Sequence, residues 1–106
     1  MTLQDLPLDK DGFLVNLNDW SPTIAEEIAA HENIALTPEH WEIIDLVREF
    51  YDEFGLSPVN RVLVKTTGAK LGQDKGNSIY LMQLFPGGPA KIACKIAGLP
   101  KPNNCL

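Results

Sequence analysis

Apolar residues recur every three or four positions along much of this chain, which is the spacing of a helix with one buried face. The longest pattern covers residues 38–54, and Gly55 follows it. Its repeating apolar positions are Trp41, Ile44, Val47, Tyr51 and Phe54. The pattern predicts a helix that anchors the core with these side chains and ends at Gly55, because glycine readily adopts the left-handed conformation that ends helices.

Three dipeptides place a hydroxyl residue directly before a proline. They are Ser21-Pro22, Thr37-Pro38 and Ser57-Pro58. The hydroxyl can accept a hydrogen bond from a first-turn amide, and proline suits the first helical position because its missing N–H would have no partner there. These signals predict helices over about 22–31, 38–54 and 58–68.

Two further helices are predicted in the second half of the chain. Asn77 can cap a short helix that reaches Phe85, and the sequence Pro-Gly-Gly at 86–88 then ends it. A last helix runs from Pro89 to about Ala97 and stops at a glycine.

The segment LPLDKDGFLVNL, residues 6–17, has two short apolar stretches around Asp11-Gly12, a dipeptide typical of tight hairpin turns. The predicted fold class is therefore mainly α, within small α+β proteins: an orthogonal bundle of about five helices with a short N-terminal β-hairpin. We expect a single domain over 1–106, with a helix-turn-helix-like core and a flexible C-terminal arm over residues 99–106.

Composition is ordinary for a globular protein, with 44% hydrophobic and 22% charged residues. No apolar run approaches the roughly 18 residues that span a bilayer, and the first residues lack a signal-peptide pattern, so we expect a cytoplasmic protein without membrane insertion.

Charge is uneven along the chain. Residues 1–54 hold two bases and thirteen acids, a net −11, whereas residues 55–106 hold seven bases and Asp74 alone, a net +6. Such a division can orient the molecule toward a charged partner.

The chain has two cysteines, Cys94 and Cys105, and both lie in its last sixteen residues. In a reducing compartment such a pair indicates redox or sulfur chemistry more often than a structural disulfide. After Gly98 the sequence LPKPNN excludes helix through its prolines. The seven steps from Gly98 to Cys105 span at most roughly 23 Å when extended.

The two thiols could meet if the arm folds back, since closing this loop costs about 3 kcal/mol of chain entropy. One thiol on the last helix and one on a moving tip predict that the tip takes sulfur from a partner and that the second thiol then attacks it. The end of the helix and the terminal carboxylate both disfavour a thiolate. Candidate bases to support it are Lys91, Lys95, Lys101 and, on another helix, Arg61 with Lys65. Solubility is the alternative role for any one of these bases.

Several residues of the chain also allow other functions, namely DNA binding, a metal site or a cofactor site. Arg61 and Lys65 would lie on the reading helix of a helix-turn-helix DNA-binding protein, although the overall acidity disfavours phosphate contacts. A metal site built from His31, His40 and the two cysteines lacks ligand spacing. Trp20 and Trp41 are interpreted as packing residues, and no cofactor motif is present. We expect a protein cosubstrate with reactive cysteines, not an autonomous enzyme.

Four segments resemble the DsrC/TusE family of sulfur-carrier proteins along nearly the whole chain. They are DGFLVNLNDWSP, EHWEIIDLVREFYDEFGLSPVNRVLVK, GNSIYLMQLFPGGPAKIACKIAG and GLPKPNNCL. The resemblance implies that the penultimate cysteine, Cys105, carries persulfide sulfur. It also implies that Cys94 matches the second arm cysteine of the DsrC branch, which forms an intramolecular disulfide or trisulfide with the first.

For the DsrC branch the resemblance implies partnership with siroheme dissimilatory sulfite reductase and with a membrane-bound thiol-disulfide reductase complex. It also implies an upstream sulfur donor similar to TusBCD or DsrEFH. The alternative is the TusE branch, whose members relay sulfur toward thiolation of the tRNA wobble uridine and can function with the final cysteine alone. Cys94 tilts the prediction toward the DsrC branch.

Overall fold

Side-chain caps begin three of the helices where the sequence predicts them. Ser21 accepts a hydrogen bond from the amide of Ile24 at 3.2 Å, and Thr37 accepts one from the amide of His40 at 3.4 Å. Asn77 accepts one from the amide of Tyr80 at 2.8 Å. These bonds satisfy first-turn amides that have no partner within the helix, and they confirm the predicted starts.

The computed structural model describes residues 2–103, and within this range the chain forms five α-helices and two short 3-10 segments. The 3-10 segments are Leu3–Asp5 and Leu17–Asp19. The helices are α1 (Pro22–His31), α2 (Pro38–Phe54), α3 (Asn60–Leu71), α4 (Ser78–Leu84) and α5 (Pro89–Ile96). The mainly helical class is confirmed. Among the described residues, no helix has the length and apolar character needed to cross a bilayer.

Helix α3 departs from the prediction at both ends. It begins at Asn60, not Pro58, and it continues through Gly68 to Leu71. Ser57 does not cap it, because its hydroxyl donates instead to the carbonyl of Pro100 at 2.6 Å. A partner distant in sequence has displaced the local cap.

The predicted N-terminal β-hairpin is wrong. Within residues 2–103 there is no β-sheet, and this segment forms only an isolated antiparallel bridge between Leu8 and Leu14. The amide of Asp9 donates to the carbonyl of Phe13 at 2.8 Å, which closes a compact turn. Phe13 and Leu14 are adjacent and both buried, whereas neighbouring residues in a strand point to opposite faces. Burial of both side chains therefore favours an irregular loop over a strand.

Helix α5 lies at the centre of the molecule and packs against all four other helices. Its buried residues are Pro89, Ala90, Ile92, Ala93, Cys94 and Ile96. The small alanine side chains let neighbouring helices approach closely, so the segment before the arm belongs to the core. The predicted inward position of Phe54 is wrong, since this side chain is 54% exposed at the end of α2 and contacts Phe50, with ring centroids 4.6 Å apart and the rings tilted by 46°.

Candidate functional site at the root of the arm

Cys94 is part of the hydrophobic core. It lies on α5 with 0% of its surface exposed, and its carbonyl accepts a hydrogen bond from the amide of Leu99 at 3.0 Å. A separate protein cannot reach a thiol without exposed surface in this conformation. Reaction of Cys94 therefore requires either a group from its own chain or an opening of the surrounding structure.

Two side chains from distant parts of the chain bind the last carbonyls of α5. Trp20 donates from Nε1 to the carbonyl of Ile96 at 2.8 Å, and Arg48 donates from Nη1 to the carbonyl of Ala97 at 2.6 Å. The Arg48 guanidinium lies 3.8 Å from the centre of the Trp20 ring. Because the end of a helix carries unsatisfied carbonyls and partial negative charge, a guanidinium there is doubly favourable. We call Trp20 and Arg48 the clamp.

Gly98 marks the point where the helix gives way to the arm. Its φ of +74° lies in the left-handed region, and its α-carbon faces the indole of Trp20. A Cβ at this position would collide with Cβ, Cγ and Cδ1 of the Trp20 side chain. Only glycine combines this conformation with so close an approach.

The described part of the arm, residues 99–103, contacts the body at several points. Leu99 is 3% exposed and Pro102 is buried. Ser57 binds the carbonyl of Pro100, and the ammonium of Lys101 lies 3.4 Å from the carboxylate of Asp11. Mobility of residues 99–106 stays a prediction. Cys105 lies outside the described residues, so its role as the sulfur-bearing cysteine also stays a prediction.

Two of the lysines near the thiols have carboxylate partners. Lys95 forms an ion pair with Glu32 at 2.8 Å and is only 16% exposed in its side chain, and Lys101 pairs with Asp11. Their charges are therefore already balanced in this conformation. Lys91 is half-buried on α5. Support of a thiolate by Lys101 stays a prediction and would require the pair with Asp11 to open.

Arg61 and Lys65 lie four positions apart on α3, and both are exposed. Asn60, directly before Arg61, accepts a hydrogen bond from the amide of Ala90 at 2.8 Å, which joins the start of α3 to the start of α5. In the described part of the chain, no hydrogen bond or ion pair links Arg61 or Lys65 to Cys94. Their contribution to a thiolate stays a prediction.

Residues 2–103 contain no group of three or more His, Cys, Asp or Glu side chains arranged to hold a metal ion. The ring of His40 is engaged on both sides: Nδ1 lies 2.7 Å from the hydroxyl of Thr37 and Nε2 lies 2.8 Å from the carbonyl of Leu84. These bonds give His40 a structural role that holds the end of α4 against the start of α2.

Sequence reasoning missed three residues of this site: Trp20, Arg48 and Ser57. Trp20 is interpreted from sequence as a packing residue and Ser57 as a helix cap, whereas both bind carbonyls near the arm. Arg48 did offer a signal, because it is one of only two bases among thirteen acids in residues 1–54 and directly follows the core position Val47. An arginine that is drawn toward a buried helix face needs a partner for its charge, which makes an internal bond worth looking for.

Comparison with known proteins identifies relatives of the whole chain. A family model described as "DsrC like protein" matches residues 1–106. Sulfurtransferase TusE from a strain of Escherichia coli is 52% identical over 103 residues, which cover 97% of this chain and 94% of the relative. A TusE homolog from Haemophilus influenzae is 54% identical over 102 residues, with 96% and 94% covered.

Solved structures agree with this relationship. The NMR structure of DsrC from Allochromatium vinosum has a TM-score of 0.86 and 53% identity, covering 95% of this chain and 90% of that one. The oxidized γ-subunit of dissimilatory sulfite reductase, DsrC, from Archaeoglobus fulgidus has a TM-score of 0.83 and 43% identity, with 95% and 92% covered. The fold, the site at the end of α5 and the matching family model lead to one conclusion: this chain belongs to the family of DsrC-like proteins.

Proposed function

We propose that this protein is a sulfur carrier of a cytoplasmic relay, which accepts persulfide sulfur on Cys105 and passes it to an acceptor thiol. The observation that supports this division of roles is the complete burial of Cys94. A thiol inside the core cannot meet a donor protein, so the exchange with partners falls to the cysteine near the end of the chain. Relatives named Sulfurtransferase TusE, 52–54% identical to this chain, support relay chemistry of the same kind.

The relay needs two exchanges of the same type. The Cys105 thiolate attacks the terminal sulfur of the donor persulfide, the donor's S–S bond breaks, and the donor leaves as a thiolate while Cys105 becomes a persulfide. An acceptor thiolate then attacks the outer sulfur of that persulfide, and Cys105 leaves as a thiolate. Sulfur moves without a net oxidation or reduction, so this cycle needs neither a cofactor nor Cys94.

For the destination of the sulfur we propose a TusE-like relay toward 2-thiouridine in tRNA, fed by a TusBCD-like donor. The high identity to the TusE relatives over nearly the full length of both chains supports this destination. A chain that serves such a relay requires one transferring thiol and an arm long enough to present it.

A second candidate is favoured by the presence and position of Cys94. A Cys94 thiolate that attacks the inner sulfur of the Cys105 persulfide would form the Cys94–Cys105 disulfide and release hydrosulfide. The two thiols supply the two electrons that reduce the released sulfur, so a membrane-bound thiol-disulfide reductase must restore them. This cycle is that of a cosubstrate of dissimilatory sulfite reductase, and likeness to DsrC structures supports it.

The carrier role is tested by intact mass measurement after exposure to a persulfide donor. Cys94→Ala should gain the mass of one sulfur atom, because the loading thiol is present and no second thiol can release the sulfur. Wild type should gain the same mass in the relay, or form the Cys94–Cys105 disulfide in the sulfite reductase cycle. Cys105→Ala should gain none. Loading of Cys105→Ala to the wild-type extent would contradict the proposal.

The two destinations are separated by the fate of Cys94→Ala. In the relay, this variant should thiolate tRNA at the wild-type rate in a reconstituted system, because the cycle does not use Cys94. In the sulfite reductase cycle, it should accumulate the persulfide and release no hydrosulfide. A loss of tRNA thiolation in Cys94→Ala, with its fold and loading intact, would count against the relay.

A further inference from the structure

The C-terminal turn of α5 is closed by one local hydrogen bond and by two that come from distant parts of the chain. Leu99 donates to the carbonyl of Cys94, Trp20 to that of Ile96 and Arg48 to that of Ala97. The first bond is local, whereas the clamp bonds span 76 and 49 residues of sequence. The turn that follows Cys94 is therefore held by the segment before α1 and by α2.

We propose that Trp20 and Arg48 are positioning residues that keep this turn closed over Cys94, and that release of the clamp exposes the Cys94 thiol for reaction. Ala97 follows Cys94 by three positions, so the two residues lie on the same side of the helix. A movement that lifts Ala97 from Arg48 uncovers the neighbouring position. The inference rests on the proposed function, since it assigns a control to the second thiol of the carrier.

The clamp consists of contacts that can break and form again. Arg48 is half-buried, and its guanidinium both donates at 2.6 Å and lies 3.8 Å from the centre of the Trp20 ring. A hydrogen bond from a charged donor is stronger than a neutral one, yet water can replace it at a half-exposed position. Opening of the last turn must also expose Ile96 and Ala97, which are fully buried, so it is a local opening that occurs rarely while the clamp bonds hold.

Contacts along the arm give the opening an order. From Lys101 inward they include the Lys101–Asp11 ion pair, the Ser57 bond to the Pro100 carbonyl, and then the clamp. The ion pair is exposed at 43% and 33% of its side chains and is the weakest of the three. A partner that draws the tip away breaks these contacts in sequence, so the clamp opens last and Cys94 is exposed only when the arm is fully engaged.

The test measures the reactivity of Cys94 alone. In a Cys105→Ala background Cys94 is the single thiol, and its rate of alkylation by iodoacetamide under native conditions reports its exposure. Arg48→Met keeps a long stem but loses the charged donor, and we expect it to raise the alkylation rate about tenfold. Arg48→Lys keeps a charged donor that can reach the Ala97 carbonyl, and its rate should stay closer to that of the parent.

A matched control is Lys70→Met, which removes an exposed cation and its ion pair with Glu49 but leaves both clamp residues and their hydrogen bonds in place. Its alkylation rate should equal that of the parent. Equal rates for Arg48→Met and the parent would overturn the proposal. The dependence of the rate on low urea distinguishes local from global opening: a steep slope matching global unfolding would also overturn it. The readout does not involve sulfur transfer, so failure of the carrier role would leave the result unchanged.

Discussion

Gly98 and Gly55 have almost the same backbone conformation, with φ of +74° and +72°, but their surroundings differ. A Cβ on Gly55 would meet no heavy atom within 4 Å, whereas one on Gly98 would strike the Trp20 side chain. Alanine substitutions at the two glycines therefore separate two contributions to the loss of stability. Gly55→Ala carries only the strain of positive φ, and Gly98→Ala adds displacement of a clamp residue.

We predict that Gly55→Ala lowers the free energy of unfolding by about 1 kcal/mol and that Gly98→Ala lowers it by clearly more. Urea denaturation of both variants measures the difference. Gly98→Ala should also shift the tryptophan fluorescence of the native state, because the indole of Trp20 must move. Equal losses of stability in the two variants would show that the contact between Gly98 and Trp20 contributes nothing.

Among the elements, the helices that begin with a local cap are the ones that the sequence predicts well. Helices α1 and α2 start and end at the predicted residues, because Ser21, Thr37 and Gly55 act within a few positions of their own backbone. Ser57 shows why α3 begins later than its sequence predicts: the hydroxyl that could cap a helix donates instead to the carbonyl of Pro100, 43 residues away. Competition of this kind cannot be seen in local sequence.

The sequence predicts neither the structure of the N-terminal segment nor the contacts of the clamp, and the physical reason is the same: both depend on residues distant in the chain. The turn at Asp11-Gly12 suits a hairpin, but burial of both Phe13 and Leu14 against the core prevailed over strand pairing. Arg48 stands out in the sequence, but its partner and that of Trp20 lie 49 and 76 residues away, so local sequence does not reveal that both side chains bind the end of α5. The two cysteines and the arm, in contrast, are evident from composition and spacing alone.

Ser57→Ala tests how the α2–α3 turn holds the arm. Loss of the bond to the Pro100 carbonyl should lower the free energy of unfolding by at most about 1 kcal/mol, because water can replace the donor at an exposed proline. Backbone order at Leu99 and Lys101, measured by ¹⁵N relaxation, should fall. The control Ser78→Ala removes an exposed hydroxyl at the start of α4 and should leave both quantities unchanged. Unchanged order at Leu99 and Lys101 in Ser57→Ala would show that this bond does not order the arm.

In the whole molecule, the acidic residues 1–54 and the basic residues 55–106 do not form two separate charged regions. The ion pairs found among residues 2–103 are Lys70–Glu49, Lys75–Glu42, Lys95–Glu32 and Lys101–Asp11. Each joins a base from the second half to an acid from the first. Folding thus balances part of the asymmetry internally, and the exposed bases Arg61 and Lys65 are left on α3.

The whole molecule also divides the two thiols between different environments. Cys94 lies in the helix that all other helices surround, and the arm that bears Cys105 starts from the end of the same helix. Under the proposed function, this arrangement lets Cys105 exchange sulfur with partners while Cys94 stays protected until a second reaction is needed.

The most direct test is to locate sulfur on wild-type protein after brief exposure to a limiting persulfide donor. Trypsin cleavage after Lys91 and Lys95 separates the thiols, because Cys94 falls in the peptide 92–95 and Cys105 in the peptide 96–106. Mass spectrometry of the alkylated peptides should find the added sulfur on 96–106 and none on 92–95. Sulfur on 92–95 at equal or greater occupancy would contradict the account, since a core thiol would then be meeting the donor directly.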